Sequence, residues 1–328
     1  MSQARKWRAA LPLLLCLLLP LPAGAQTKKI EVAYSAVSAT QATLWFTKEA
    51  GVFEKHGLSA NLNYVASGPR VAQALLAGEF TIATAGSAAI LAALAGGSVV
   101  FVGGVVNVPA FYLLVRPEIT RIEDLRGKVL GVTRFGASTD FALRAALRRW
   151  GLEPEKDVAI LQVGGQPELL AAMRGGAIQG APVTAPTDMR GRKAGFVVLT
   201  DLSQSGLAFP TIGIVSTRSI LAKEPDVVRN FLRAYTEGTQ RFFREKDLAL
   251  RVIARYTQTQ DPEVLEAAYA YATRFVERIP RPPVQGVQAV LEEIARARPE
   301  AKGRRAEEFV DARIFDELEA SGFFKAYQ

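Results

Sequence analysis

Lys29-Ile30-Glu31-Val32-Ala33-Tyr34 runs into a small-residue loop, Ser35 to Thr40, and a helical pattern then opens. Lys128-Val129-Leu130-Gly131-Val132-Thr133 does the same, running into Arg134-Phe135-Gly136-Ala137-Ser138-Thr139 and a second helical pattern. Further on, Leu76-Ala77-Gly78-Glu79-Phe80-Thr81-Ile82-Ala83 has its counterpart in Met173-Arg174-Gly175-Gly176-Ala177-Ile178-Gln179-Gly180-Ala181. Both spacings are equal (176 − 78 = 98 and 181 − 83 = 98). Two similar α/β units in one chain predict two lobes with a ligand cleft between them.

Around this repeat, short β-prone runs alternate with helical patterns. Strands are expected at 30–35, 58–65, 80–84, 99–103, 110–115, 128–133, 158–163, 177–183, 196–200 and 211–217. One helix is expected from Thr40 to before Gly57, one from Ser67-Gly68-Pro69 to Leu76, and one over 139–150 with Asp140, Arg144 and Arg148 on one stripe. The alternation predicts parallel, helix-covered sheets. The last third is helical, over 226–243, 246–256, 263–276, 284–297 and 309–321, and should pack back on a lobe.

The first 25 residues read as a signal peptide: a basic start (Arg5, Lys6, Arg8), an apolar core from Leu11 to Leu21, and Ala23-Gly24-Ala25 as cleavage site. Without them the net charge falls from +8 to 37 − 32 = +5, which gives no reason to expect a nucleic-acid partner. Cys16, the only cysteine, lies in that segment, so the mature chain has no disulfide or thiolate chemistry. The apolar stretch 87–106 is broken by Gly96-Gly97 and reads as a buried helix, a turn and a buried strand.

Enzyme signatures are scarce. The only histidine, His56, falls at a helix C-terminus, where it favours the dipole, and no Walker loop or Ser-His-Asp, Cys-His or zinc constellation is present. No cofactor or metal is implied. The loops after the strands are instead rich in hydroxyls and glycine: Ser35 to Thr40 with Ser38, Ser67-Gly68, Gly86-Ser87 and Gly136 to Thr139 with Ser138. At helix N-termini such residues either cap their own helix or offer N–H and O–H groups to an anion. Arg70 and Arg134 stand beside two of these loops, as surface cations or as ligands of that anion. Phe135 and Phe209, in expected loops, are candidate apolar walls.

Glu49-Ala50-Gly51-Val52-Phe53-Glu54-Lys55-His56-Gly57-Leu58 resembles the "EAGxFxKxGL" segment of solute-binding proteins of nitrate/sulfonate/taurine-type ABC importers, including the NMT1/THI5-like group. Gln73 to Glu79, Asp124 to Lys128, Gly151 to Val158 and Pro225 to Val228 are similarly placed family features, so the resemblance covers nearly the whole mature chain. It implies a two-lobe type II periplasmic binding protein fold, with 26–115 plus 207–328 as lobe 1 and 116–206 as lobe 2. It further implies a non-enzymatic, monomeric periplasmic protein that closes on a small anionic or polar solute. The solute would pass to an inner-membrane ABC permease with a cytoplasmic ATPase. A thiamine-pyrimidine-synthase-like enzyme or a ligand-sensing partner of a membrane receptor are the alternatives. Ser38, Ser67, Ser87, Ser138 and Thr184 carry over as ligand contacts, with Thr40, Gly68, Gly86, Asn107, Gly136 and Thr139 in the same candidate set. Two positions depart from the family pattern: Thr81 and Gln179 stand where an acid is frequent.

Overall fold

The computed structural model describes residues 27–296 and 298–327, so the expected signal peptide lies outside the described residues. Ten strands form two five-stranded sheets. The first sheet runs in the order β2 (Leu58–Tyr64), β1 (Lys28–Tyr34), β3 (Ile82–Ala85), β10 (Ile212–Thr217), β4 (Val99–Val106). The second runs β7 (Ala159–Gln162), β6 (Val129–Val132), β8 (Gly180–Val183), β5 (Tyr112–Val115), β9 (Val197–Asp201). The repeat is therefore real in three dimensions: β1 and β6, β2 and β7, and β3 and β8 hold equivalent places. Gly78 and Gly176, 98 apart in sequence (176 − 78 = 98), adopt the same left-handed turn, at φ 80° and 81°.

The expectation of wholly parallel sheets needs correction. β10 is antiparallel to both β3 and β4, and β5 is antiparallel to both β8 and β9. Each is the strand that begins where the chain arrives from the other sheet. Entering at the cleft, it must run away from the cleft, while its neighbours run towards it. β5 pairs only within the second sheet. The crossing segments are thus 107–111 and 202–211. They bond to each other: Phe209 N donates to Asn107 O at 2.9 Å, and Thr211 Oγ1 to Val108 O at 2.5 Å.

The helix expected from Thr40 to Gly57 is divided. Gly51 takes φ +67°, a conformation open to glycine at no steric cost, and separates helix Ala42–Glu49 from helix Val52–Lys55. The 87–106 stretch is helix Ala88–Leu94, buried at Ala88, Ala89 and Ile90 but only half-buried from Leu91 on, then a glycine turn and β4, all of whose residues are buried. Among the described residues no helix is long and apolar enough to cross a membrane.

The last third packs on the first sheet's helices. Helix Pro225–Arg244 lies along Ala42–Glu49, with Thr43 Oγ1 2.6 Å from Tyr235 Oη and Phe46 edge-on to Phe242. Trp45 stacks on Tyr256 of helix Lys246–Thr257, with ring centroids 4.8 Å apart. His56, at the end of Val52–Lys55, shares Glu237 with Lys55 and has no part in the cleft. Thr81 and Gln179 precede β3 and β8 at the ends away from the cleft; Gln179 Oε1 accepts Val129 N–H there at 2.9 Å. These two departures therefore act on strand pairing, not on the cleft.

Candidate functional site

The carboxyl ends of β1, β3, β6 and β8 face one another across the gap between the sheets, the usual ligand position of open α/β sheets. A small cavity of about 50 Å³ lies there, between Ser38, Thr40, Ser67, Gly68 and Gly86 of one side and Ser138, Thr139 and Thr184 of the other. Sequence position alone had separated these residues; the fold brings them to one place. A larger hollow, about 870 Å³, opens beside the crossing segments, away from the strand ends. The strand-end cavity is the better candidate for the solute because elements of both halves wall it in.

Each hydroxyl has a distinct local role. Ser38 Oγ accepts from Thr40 N at 3.2 Å and from Thr40 Oγ1 at 3.0 Å, so it caps the turn Ala39–Gln41 while lining the cavity. Ser67 does not cap its helix, Gly68–Leu76; it is held at φ +76° and accepts from Arg134 Nε across the gap at 3.1 Å. A non-glycine residue there stores about 1–3 kcal/mol of strain. Ser138, the first residue of helix Ser138–Arg149, donates to Thr211 O at 3.0 Å, a second bond across the gap. Thr139 Oγ1 bonds Thr133 at the end of β6, at 2.8 Å. Thr184 Oγ1 is buried and has no hydrogen-bond partner, although Thr184 N donates to Gln166 Oε1 at 3.1 Å.

Several other cavity residues went unnoticed in the sequence: Tyr64, Phe111, Gly165, Gln166 and Thr211. The repeat could have found two of them. The spacing that relates Gly78 to Gly176 also relates Ser67-Gly68-Pro69 to Gly165-Gln166-Pro167 (165 − 67 = 98) and Gly86 to Thr184 (184 − 86 = 98). Helix Gln166–Arg174 thus presents its N-terminus to the cavity beside those of Gly68–Leu76 and Ser138–Arg149. Burial, reinforced by the charge of Glu168, pushes the Tyr64 phenol upward, so it stays protonated and able to donate.

Not every expected residue reaches the cavity. Arg70 is exposed on the outer side of its helix. Phe135 is 48% exposed and lies under the Arg144 guanidinium, while Phe209 is buried in the core, so neither walls the cavity. Ser87 is buried just beyond it, Gly136 donates its N–H to Asp140, and Asn107 lines the larger hollow. Arg134 stands behind Ser67.

The lining combines hydroxyls, a phenol, an amide and residues at three helix N-termini with the apolar side chains of Phe111 and Ile212, and it holds no Asp, Glu, Lys, Arg or His. Unpaired N–H groups at helix starts carry partial positive charge and favour an anion. No acid–base pair stands in the cavity to make or break a bond, and among the described residues no cluster of His, Cys, Asp and Glu could hold a metal ion.

The family described as NMT1/THI5 like matches residues 39–254. The chain is 32% identical to the taurine-binding periplasmic protein of Escherichia coli K12 over 237 residues, covering 69% of this chain and 70% of that one. The structure of a protein from Bordetella bronchiseptica RB50 superposes with a TM-score of 0.79 at 18% identity, over 90% of this chain and 98% of the other. The alkanesulfonate-binding protein of Xanthomonas axonopodis pv. citri, bound to MOPS, gives 0.70 at 19% identity, over 86% and 96%. These structures share the periplasmic binding protein fold.

Proposed function

From the premise that the chain belongs to the NMT1/THI5-like family, as the substrate-binding component of an ABC import system, we propose that it captures a small organic anion, a sulfonate foremost, in the periplasm. The halves built on the two sheets act as lobes, and the crossing segments 107–111 and 202–211 act as the hinge. Closure places the solute on the hydroxyls and helix N-termini, and the closed protein presents it to an inner-membrane permease. The observation that carries this reading is a lining contributed by both halves with three helix N-termini and no carboxylate. An anion is stabilised there without a full counter-charge, which permits release. The bonds Ser67–Arg134 and Ser138–Thr211 then belong to the closed form.

A thermal-shift screen of the purified protein tests the proposal, with taurine, short alkanesulfonates, nitrate, aromatic carboxylates and neutral pyrimidines. Sulfonates are expected to raise the melting temperature and pyrimidines to leave it unchanged. A response to pyrimidines alone, or chemical turnover of any hit, would overturn it.

Thr184→Val supplies a residue-level check. The Thr184 hydroxyl has no partner within the protein, so removing it leaves stability unchanged. If it bonds the solute, affinity falls by about 1–2 kcal/mol, roughly 5- to 30-fold, as measured by calorimetry. Unchanged affinity would take Thr184 out of the site.

A further inference from the structure

Helix Thr187–Lys193 follows β8 and belongs to the second half, with Arg190, Arg192 and Lys193 in its last turn. Two of these cations bond to the first half, through the helices of the last third. Arg190 Nη2 donates to Thr257 O at 2.6 Å, and Lys193 Nζ lies 2.5 Å from Asp261 and 2.8 Å from Glu263. Thr257 ends helix Lys246–Thr257, where the carbonyls lack partners within the helix and carry the negative end of its dipole. Among the described residues the Arg190 guanidinium hydrogen-bonds Thr257 O alone. Asp261 caps helix Pro262–Phe275, accepting from Glu263 N at 3.1 Å and Val264 N at 3.4 Å, so its carboxylate is held in place for Lys193. The seam starts at the cleft: Ala39 N donates to Ala185 O at 2.8 Å, next to Ser38 on one side and Thr184 on the other. It also reaches the hinge, where Arg274 pairs at 2.8 Å with Asp201, the residue before the crossing segment 202–211. Glu263 precedes Arg274 by 274 − 263 = 11 residues, about 16 Å along the helix. Opening about the crossing segments therefore moves the Lys193 end of the seam more than the Arg274 end.

We propose that Arg190 and Lys193 are positioning residues that form a latch outside the cleft, made only when the halves close, and so set solute affinity without touching the solute. Contacts present only in the closed form raise the closed fraction, and apparent affinity follows that fraction. The Lys193 and Asp261 side chains keep 42% and 39% exposure, so each pair contributes modestly alone. Reversing the charge of Lys193 turns two attractions into two repulsions and makes the latch measurable. The latch requires that the halves close as lobes; it does not depend on which solute the cleft takes.

Nitroxide labels at Gln73→Cys and Phe135→Cys, in a Cys16→Ser background, report the separation of the halves, because these two residues line one groove from opposite sides of the gap. Pulsed electron paramagnetic resonance without solute is expected to show a short-distance and a long-distance population. Lys193→Glu should deplete the short one, and adding Glu263→Lys should restore it, which separates loss of the latch from a folding defect. Affinity for any solute that binds should fall about tenfold in Lys193→Glu, whatever its chemical class, and recover in the double variant. Two populations that shift with solute but not with Lys193→Glu would overturn the latch alone. A single population indifferent both to solute and to Lys193→Glu would overturn lobe closure with it.

Discussion

Gly86→Val is expected to abolish solute capture and to lower folding stability by about 3 kcal/mol. Gly86 links β3 to helix Ala88–Leu94 at the point where the second crossing segment and Ser138 approach it. A Cβ there would run into Ser138 Oγ and Thr211 O, and would stand 2.6 Å from Pro210 O. Two of these atoms are backbone carbonyls at the end of the second crossing segment, immediately before the central strand β10, and neither can turn aside as a flexible side chain would. Relief requires moving β10 away from β3, or moving Ser138 out of the cleft, or both. Either movement breaks the Ser138–Thr211 bond that holds the halves together. Urea denaturation measures the stability loss, and calorimetry with the best sulfonate from the screen measures the binding. Wild-type values in both would show that the approach at Gly86 is not as close as described.

Trp45→Ala should cost about 3–5 kcal/mol, the range for truncating a large buried aromatic residue. Trp45 is fully buried, stacked on Tyr256 and edge-on to Tyr34 with ring centroids 5.7 Å apart. It therefore joins β1, the helix after the first cleft loop, and helix Lys246–Thr257 from the last third. The same helix carries the Ser38–Thr40 turn at its start, so a cavity at Trp45 should loosen the site along with the core. Trp45→Phe provides the contrast. It keeps a ring in the stack and removes an indole N–H that has no acceptor, so its cost should be well under half that of Trp45→Ala. Equal losses in the two variants would mean that the stacking contributes nothing.

Much of the site could be read from the sequence because it is built from local structure. Loops that follow β-strands and open helices present N–H and O–H groups by their own geometry, which makes Ser38, Ser67 and Ser138 legible as candidates, whereas Thr184 comes only from the family resemblance. The aromatic and cationic assignments fared differently. Phe135 lies in the loop after β6 and Phe209 in the second crossing segment, yet one lies outside under Arg144 and the other inside the core. Nothing in their local sequence distinguishes these fates, since the direction of a loop side chain depends on what packs against it. Arg134 illustrates the same point: its neighbour across the gap, Ser67, is 67 residues away in sequence.

The sequence by itself determined the duplication, the order of strands and helices, the hydroxyl-rich loops and the lack of catalytic constellations. These follow from periodicity, turn residues and composition, all of which act over a few residues. Only the tertiary structure decided the antiparallel direction of β5 and β10, the position of the crossing segments, and the assignment of Asn107 to a hollow outside the cleft. Those features depend on which strand a returning chain pairs with and on close approaches such as that at Gly86. Long-range pairing is selected by the packing of the whole core, and no local stretch of residues encodes it.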